Sequence, residues 1–208
     1  MTGLILIRHG NTFAPGEKVV WAGARTDLPL VEKGRQQALQ LSHTLAAAQF
    51  VPDRILTAPL LRTRQHADII ASHIGFSGNI ETSNDLREID YGKWEGLSTE
   101  EIHACGGQAE LEAWDTNARW PQTPGWSPSA DTILNNVKTL LTQLAEDRHT
   151  DRAMLVTSNG ILRFFARLLT NQPNHLKVRT GHCCIIEHHK GRWTQSGWNL
   201  SPDTLQEF

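Results

Sequence analysis

The run Gly3-Leu4-Ile5-Leu6-Ile7-Arg8-His9-Gly10 decides how the rest of the chain is read. Four apolar residues follow one another without alternation and stop at a polar cluster. A strand covered on one face alternates, whereas one buried on both faces does not, so this run predicts a central strand of a parallel sheet. Two further segments share the pattern: Asp53-Arg54-Ile55-Leu56-Thr57 and Ala153-Met154-Leu155-Val156-Thr157. Between them lie stretches with apolar residues at helical spacing. Glu32 to Ala48 places Ala38, Leu41, Leu45 and Ala48 on one stripe, and residues 60–74 place Ala67, Ile70, Ala71 and Ile74 on another.

Working outward, Asp131 to Ala145 reads as an amphipathic helix with Asp131 near its N-cap, and Ile161 to Leu169 as a helix ending before Pro173. Cys183 to His188 and Arg192 to Thr194 read as a hairpin closed near Lys190-Gly191. Strands alternating with helices predict an α/β fold, a three-layer α/β/α sandwich with a mostly parallel central sheet. The expected organisation is a single domain over residues 1–208 with a cap insertion around 97–130. Within that insertion, Gly106-Gly107 interrupts helical sequence, and the Pro-, Gly- and Trp-rich stretch from Trp120 to Ser129 reads as loop. Trp114, Trp120 and Trp126 can either line a pocket or pack the insertion onto the core. Packing is the favoured reading, because large aromatics dominate such contacts.

Composition narrows the function. A formal charge of −2 over 208 residues, with no basic stripe, argues against nucleic acid or an anionic membrane as partner. No apolar stretch approaches the length of a membrane-crossing helix. The short run ahead of Arg8 lacks the features of a secretory leader. Three cysteines, Cys105, Cys183 and Cys184, form no disulfide pattern and no zinc spacing, which points to a reducing, cytoplasmic setting.

Ligands of open parallel sheets bind beyond the carboxyl ends of the strands. Three polar clusters stand there: Arg8-His9-Gly10-Asn11-Thr12, Thr57-Ala58-Pro59-Leu60-Leu61-Arg62 and Thr157-Ser158-Asn159-Gly160. Two arginines, one histidine and several hydroxyl or amide groups suit a phosphate dianion, since each guanidinium offers a planar fork of donors and a permanent charge.

The first cluster resembles the Arg-His-Gly signature of the histidine phosphatase superfamily, the phosphoglycerate mutase-like family. Further segments follow in the family's order: Gly23 to Leu30, Gly34 to Ala38, Thr57 to Ala67, and Leu86-Arg87-Glu88-Ile89-Asp90-Tyr91-Gly92-Lys93-Trp94-Glu95-Gly96. The resemblance implies a phosphatase that works through a phosphohistidine on His9. It implies that Arg8 and Arg62 hold the phosphoryl oxygens and that Glu88 is the general acid, with Asn11 near the phosphate. It requires no metal or other cofactor. The substrate class implied is a small phosphorylated metabolite.

The pattern departs from the family in two places. Where the family carries a second histidine, this chain reads Val156-Thr157-Ser158-Asn159-Gly160. In register, Ser158 takes the histidine position; the alternative puts Asn159 in the phosphate pocket. His182, just before a predicted strand, is a candidate to compensate, against the plainer reading of a turn histidine. His188 and His189 read as surface residues. The second departure is Gly125-Trp126-Ser127-Pro128, where the family often has a Gly-Glu-Ser segment that helps choose the substrate. Three functions are therefore weighed: phosphomonoester hydrolase, phosphoglycerate mutase-like phosphotransferase, and a phospholigand-binding protein with impaired catalysis.

Overall fold

The computed structural model describes residues 2–169 and 176–207. Pro173, the expected stop for the last helix, lies outside them. The run that opens the chain is strand β1 (Thr2–Arg8), and its residues are buried on both faces. Leu4 and Leu6 enter one apolar cluster, while Ile5 and Ile7 enter another on the opposite side. That division is why the run does not alternate.

The chain continues through α1 (Glu32–Ala47), β2 (Arg54–Thr57), α2 (Leu61–His73) and the short β3 (Ile80–Thr82). Two 3-10 turns follow, then α3 (Thr99–Ala104) and α4 (Gln108–Asn117), α5 (Ala130–Glu146), β4 (Arg152–Thr157) and α6 (Asn159–Leu169). The hairpin β5 (Cys183–His189) and β6 (Arg192–Leu200) comes last of the strands. The sheet order is β3-β2-β4-β1-β5-β6. β3, β2, β4 and β1 run parallel, and the hairpin joins β1 antiparallel. The sheet is thus an α/β arrangement with helices on both faces. The cluster containing Ile5 and Ile7 takes residues of α1 and α2, and the cluster containing Leu4 and Leu6 takes residues of α5 and α6.

This topology positions the site. β1 and β4 lie side by side in the sheet interior, and the chain leaves them toward opposite faces, to α1 from one and to α6 from the other. A crevice opens above two such strands, at their carboxyl ends. Arg8 pairs with Thr157 at that edge, and the His9 amide donates to the Thr157 carbonyl at 3.1 Å.

Three local readings are corrected. α5 is capped by Ser129, whose Oγ accepts the Thr132 amide at 3.2 Å; Asp131 sits in the first turn instead, where its charge meets the positive end of the helix. β6 runs six residues further than Thr194, to Leu200, because pairing with β5 continues through two irregularities of register. Gln195, Ser196 and Gly197 hide that strand from its hydrophobic pattern. The helix after β4 starts at Asn159, two residues before Ile161.

The insertion packs as expected. Trp114 and Trp126 are buried, and Trp126 has Trp21, Tyr91, Trp94, Trp114 and Trp120 around it at ring-centroid separations of 4.8 to 5.9 Å. Edge-on contacts of this kind add to the area they bury. No helix among the described residues is long and apolar enough to cross a membrane, and all three cysteines are free thiols.

Candidate active site

The loop leaving β1 turns sharply enough to need glycine at two facing positions. A Cβ on Gly10 would lie 2.4 Å from the Gly34 carbonyl oxygen, and one on Gly34 would lie 2.2 Å from the carbonyl oxygen of Asn11. The loop is thereby pressed against the first turn of α1, with the Asn11 amide held by Gln37 Oε1 at 2.9 Å. His9 is 7% exposed. Its Nδ1 donates to the Gly10 carbonyl at 2.8 Å, which leaves a lone pair on Nε2. Arg62 Nε donates to that Nε2 at 3.2 Å.

Arg62, at the start of α2, is 1% exposed. Its remaining nitrogens donate to loop carbonyls: Nη1 to Thr26 at 2.7 Å, and Nη2 to Ala22 and Gly23 at 3.2 Å. A buried guanidinium with four of its five N–H groups engaged is fixed in place. Arg8 reaches the same region from β1. Its Nη1 donates to the Val178 carbonyl at 2.5 Å, and its Nε is buried with no partner among the described residues.

Glu88 is 6% exposed, in the segment after the first 3-10 turn. Its Oε1 accepts the Ile89 amide at 3.0 Å. Gly160, in the first turn of α6, is needed for this approach, since a Cβ there would lie 2.2 Å from Oε1. Tyr91 faces the same carboxyl group, and burial, helped by the Glu88 charge, pushes its phenol well above the usual range.

Electrostatics separates the two groups. Burial, then the charges of Arg62 and Arg8, pushes the His9 imidazole well below its usual range, and the Gly10 carbonyl opposes this only in part. Burial raises the Glu88 carboxyl above its usual range, against the charges of Arg62 and Arg8 and the amides of Ile89 and Gly160. The histidine is therefore kept neutral and the acid is helped to keep its proton.

The three residues weighed for the second histidine's place have different surroundings. The Ser158 Oγ is fully buried with no partner among the described residues. Asn159 Oδ1 instead accepts the Val178 amide at 2.9 Å. His182 Nδ1 donates to the Asn199 carbonyl at 3.0 Å, while its own carbonyl accepts the Arg8 amide. Asn11 Oδ1 accepts from the Thr180 hydroxyl at 2.5 Å. Both asparagine oxygens are thus spent on the segment around residues 178–180. His188 and His189 lie on β5 away from the β1–β4 crevice.

Beside Glu88 lies a cavity of about 330 Å³, lined by Ala24, Arg25, Arg87, Asp90, Ser127 and Asn136 among others. Its wall includes Ser127 and Pro128 of the second departing segment. A larger hollow, about 410 Å³, lies at Trp120 and Arg119 with none of these groups on its walls. Its size carries no functional weight beside the chemistry of the first. Sequence reasoning missed His66, Tyr91 and Arg163, all buried and all facing the charges of this site. The spacing of His66, four residues after Arg62, was the available signal.

Comparison with known proteins gives the family. The family model described as "Histidine phosphatase superfamily (branch 1)" matches residues 4–201. The chain belongs to the histidine phosphatase superfamily. It is an enzyme of that type. A glucosyl-3-phosphoglycerate phosphatase of Mycolicibacterium vanbaalenii is 31% identical over 76% of this chain and 68% of its own length. Phosphoglycerate mutase-like protein 4 of Arabidopsis thaliana is 28% identical over 77% of this chain and 67% of its own. The native structure of a mycobacterial glucosyl-3-phosphoglycerate phosphatase superposes with a TM-score of 0.79 at 25% identity, covering 97% of this chain and 100% of the other.

Proposed function

We propose that the chain is a phosphomonoester hydrolase that works through a phosphohistidine on His9, with a small phosphorylated metabolite as substrate. The observation that carries this reading is His9 itself: a neutral ring, Nδ1 tied to Gly10, with Nε2 against the buried Arg62 guanidinium and the charge of half-buried Arg8 nearby.

In the first step the Nε2 lone pair, released from the Arg62 Nε–H, attacks phosphorus. The N–P bond forms as the P–O bond to the leaving group breaks, and Glu88 gives its proton to the departing alkoxide. In the second step Glu88 takes a proton from water, the oxygen attacks phosphorus, and the N–P bond breaks to return neutral His9 and inorganic phosphate. Arg8 and Arg62 neutralise the charge on the transferring group. Ser158 Oγ and Arg8 Nε, both buried without partners among the described residues, support a role as further donors to its oxygens. In this reading Ser158 stands where the family has its second histidine, and it supplies a hydrogen bond without a charge. A single transition-state donor is worth about 10²–10³ in rate. That is small against the acceleration phosphate monoesters require, which can reach about 10²¹. A serine there is therefore compatible with turnover.

The test is to mix enzyme with a ³²P-labelled phosphomonoester, quench in alkali, and locate acid-labile label by peptide mapping. Label on His9 with release of inorganic phosphate is expected. Transfer back to another hydroxyl of the substrate, without free phosphate, would replace this reading with that of a mutase. Tight binding of phosphate esters with neither label nor turnover would make the chain a phospholigand-binding protein.

The pH dependence follows from the two shifted groups. His9 must be neutral, and its pKa lies well below the usual value, so kcat/KM should hold on the acid side past the pH at which an ordinary histidine protonates. Glu88 must be protonated, and its pKa is raised, so activity should fall as pH climbs through that raised value. Glu88→Gln should remove the alkaline limb. It should slow alkyl phosphates far more than p-nitrophenyl phosphate, whose leaving group needs no proton. An unchanged alkaline limb in Glu88→Gln would assign the acid to another residue.

A further inference from the structure

The mechanism above leaves one buried titratable group unused. His66 follows Arg62 by four residues on α2, so both side chains leave the same face of that helix. It is wholly buried. Its Nδ1 accepts the Gly10 amide proton at 3.0 Å. A neutral imidazole that accepts at Nδ1 carries its proton on Nε2, and that Nε2 has no partner among the described residues. Leaving a buried donor unsatisfied costs about 1–3 kcal/mol. A leucine would remove that orphan donor but leave the buried Gly10 N–H without its acceptor, a cost of the same size, so stability alone does not single out histidine here. Burial pushes the ring's pKa down to about 3, which keeps Nδ1 an acceptor across the working range of an enzyme.

Gly10 is used at both ends. Its N–H goes to His66, and its carbonyl receives the Nδ1–H of His9 at 2.8 Å. On the other side of the His9 ring, Arg62 Nε meets Nε2 at 3.2 Å. One helix therefore reaches both nitrogens of the candidate nucleophile: Nε2 directly through Arg62, and Nδ1 by way of His66 and Gly10.

We infer that His66 is a positioning residue for His9: by holding Gly10 it fixes the carbonyl that selects the tautomer and the ring plane of His9. The kinetic half of this inference rests on the phosphatase reading. The tautomer half does not, and it is read without turnover.

The experiment labels the histidines with ¹⁵N and records their ring nitrogens by NMR, alongside kcat and KM on p-nitrophenyl phosphate. In the wild-type protein His9 should be protonated at Nδ1 and His66 at Nε2. His66→Asn places an amide oxygen close to where Nδ1 lies; it should keep the His9 pattern and a kcat within about 3-fold. His66→Leu fills the space without an acceptor. It should shift the His9 nitrogens toward a mixture of tautomers and lower kcat about 10- to 100-fold, with KM little changed because Arg8 and Arg62 remain. Should the leucine variant fail to fold, His66→Met takes its place. The inference is overturned if a folded leucine or methionine variant keeps the His9 nitrogens unchanged, or if the asparagine variant is damaged as much as the leucine one. An inactive wild-type protein would sink the phosphatase reading, and the NMR comparison would still decide the role of His66.

Discussion

His9→Ala should lower kcat by about a million-fold and abolish the labelled phosphoenzyme. The estimate follows other enzymes in which the nucleophile of a tightly coupled set is removed. Alanine deletes the nitrogen proposed to attack phosphorus and closes the two-step route. Arg8 and Arg62 stay, so binding of inorganic phosphate or an unreactive phosphonate should change by less than about tenfold. Residual turnover of about 10³–10⁴ over water is what positioning and charge alone sustain. Single-turnover kinetics and phosphate-binding calorimetry on the same preparation separate the two effects. Turnover within tenfold of wild type would move the nucleophile elsewhere and end the present reading.

Arg62→Met should cost about 10³-fold or more in kcat, the range found when one arginine that neutralises a transferring phosphoryl group is removed. Its effect on stability is the smaller of two opposed terms. The carbonyls of Ala22 and Thr26 lose their Arg62 donors, at about 1–3 kcal/mol for each that stays buried, while that of Gly23 keeps the Thr26 amide. Against that, a charge no longer has to be buried, and burial already disfavours the charged form of Arg62. Thermal unfolding should therefore move by only a few degrees while activity collapses. Arg62→Lys keeps a charge but loses the planar fork, so it should recover only part of the rate. A lysine variant as active as wild type would show that charge alone suffices.

Much of the fold was legible because buried parallel strands leave an unmistakable trace. The unalternating runs at Leu4 to Ile7 and Ala153 to Val156 mark strands that meet apolar clusters on both faces. β6 was cut short because its exposed positions carry Gln195 and Ser196, and because Gly197 weakens the pattern. The sequence points to Asp131 near the cap of α5 without singling out Ser129, since both residue types cap helices and only backbone geometry chooses between them. In the candidate site, Arg8, His9, Arg62 and Glu88 stood in recognisable segments. The surroundings of Asn11, Asn159 and His182 did not, because their partners Thr180, Val178 and Asn199 come from distant parts of the chain. His66 was hidden for another reason: on a helix one histidine looks like any other until the group it faces is known.

The placement of β1 between β4 and β5 has a consequence for how the molecule can fail. His9 leaves a strand hydrogen-bonded along both edges, and its own amide is part of that ladder. Local fraying cannot release such a strand; it opens only when the whole sheet does. The candidate nucleophile therefore has no private route to disorder. Heat or denaturant should reach His9 only with global unfolding, so that activity lost earlier reports loosening of the loop that carries Glu88.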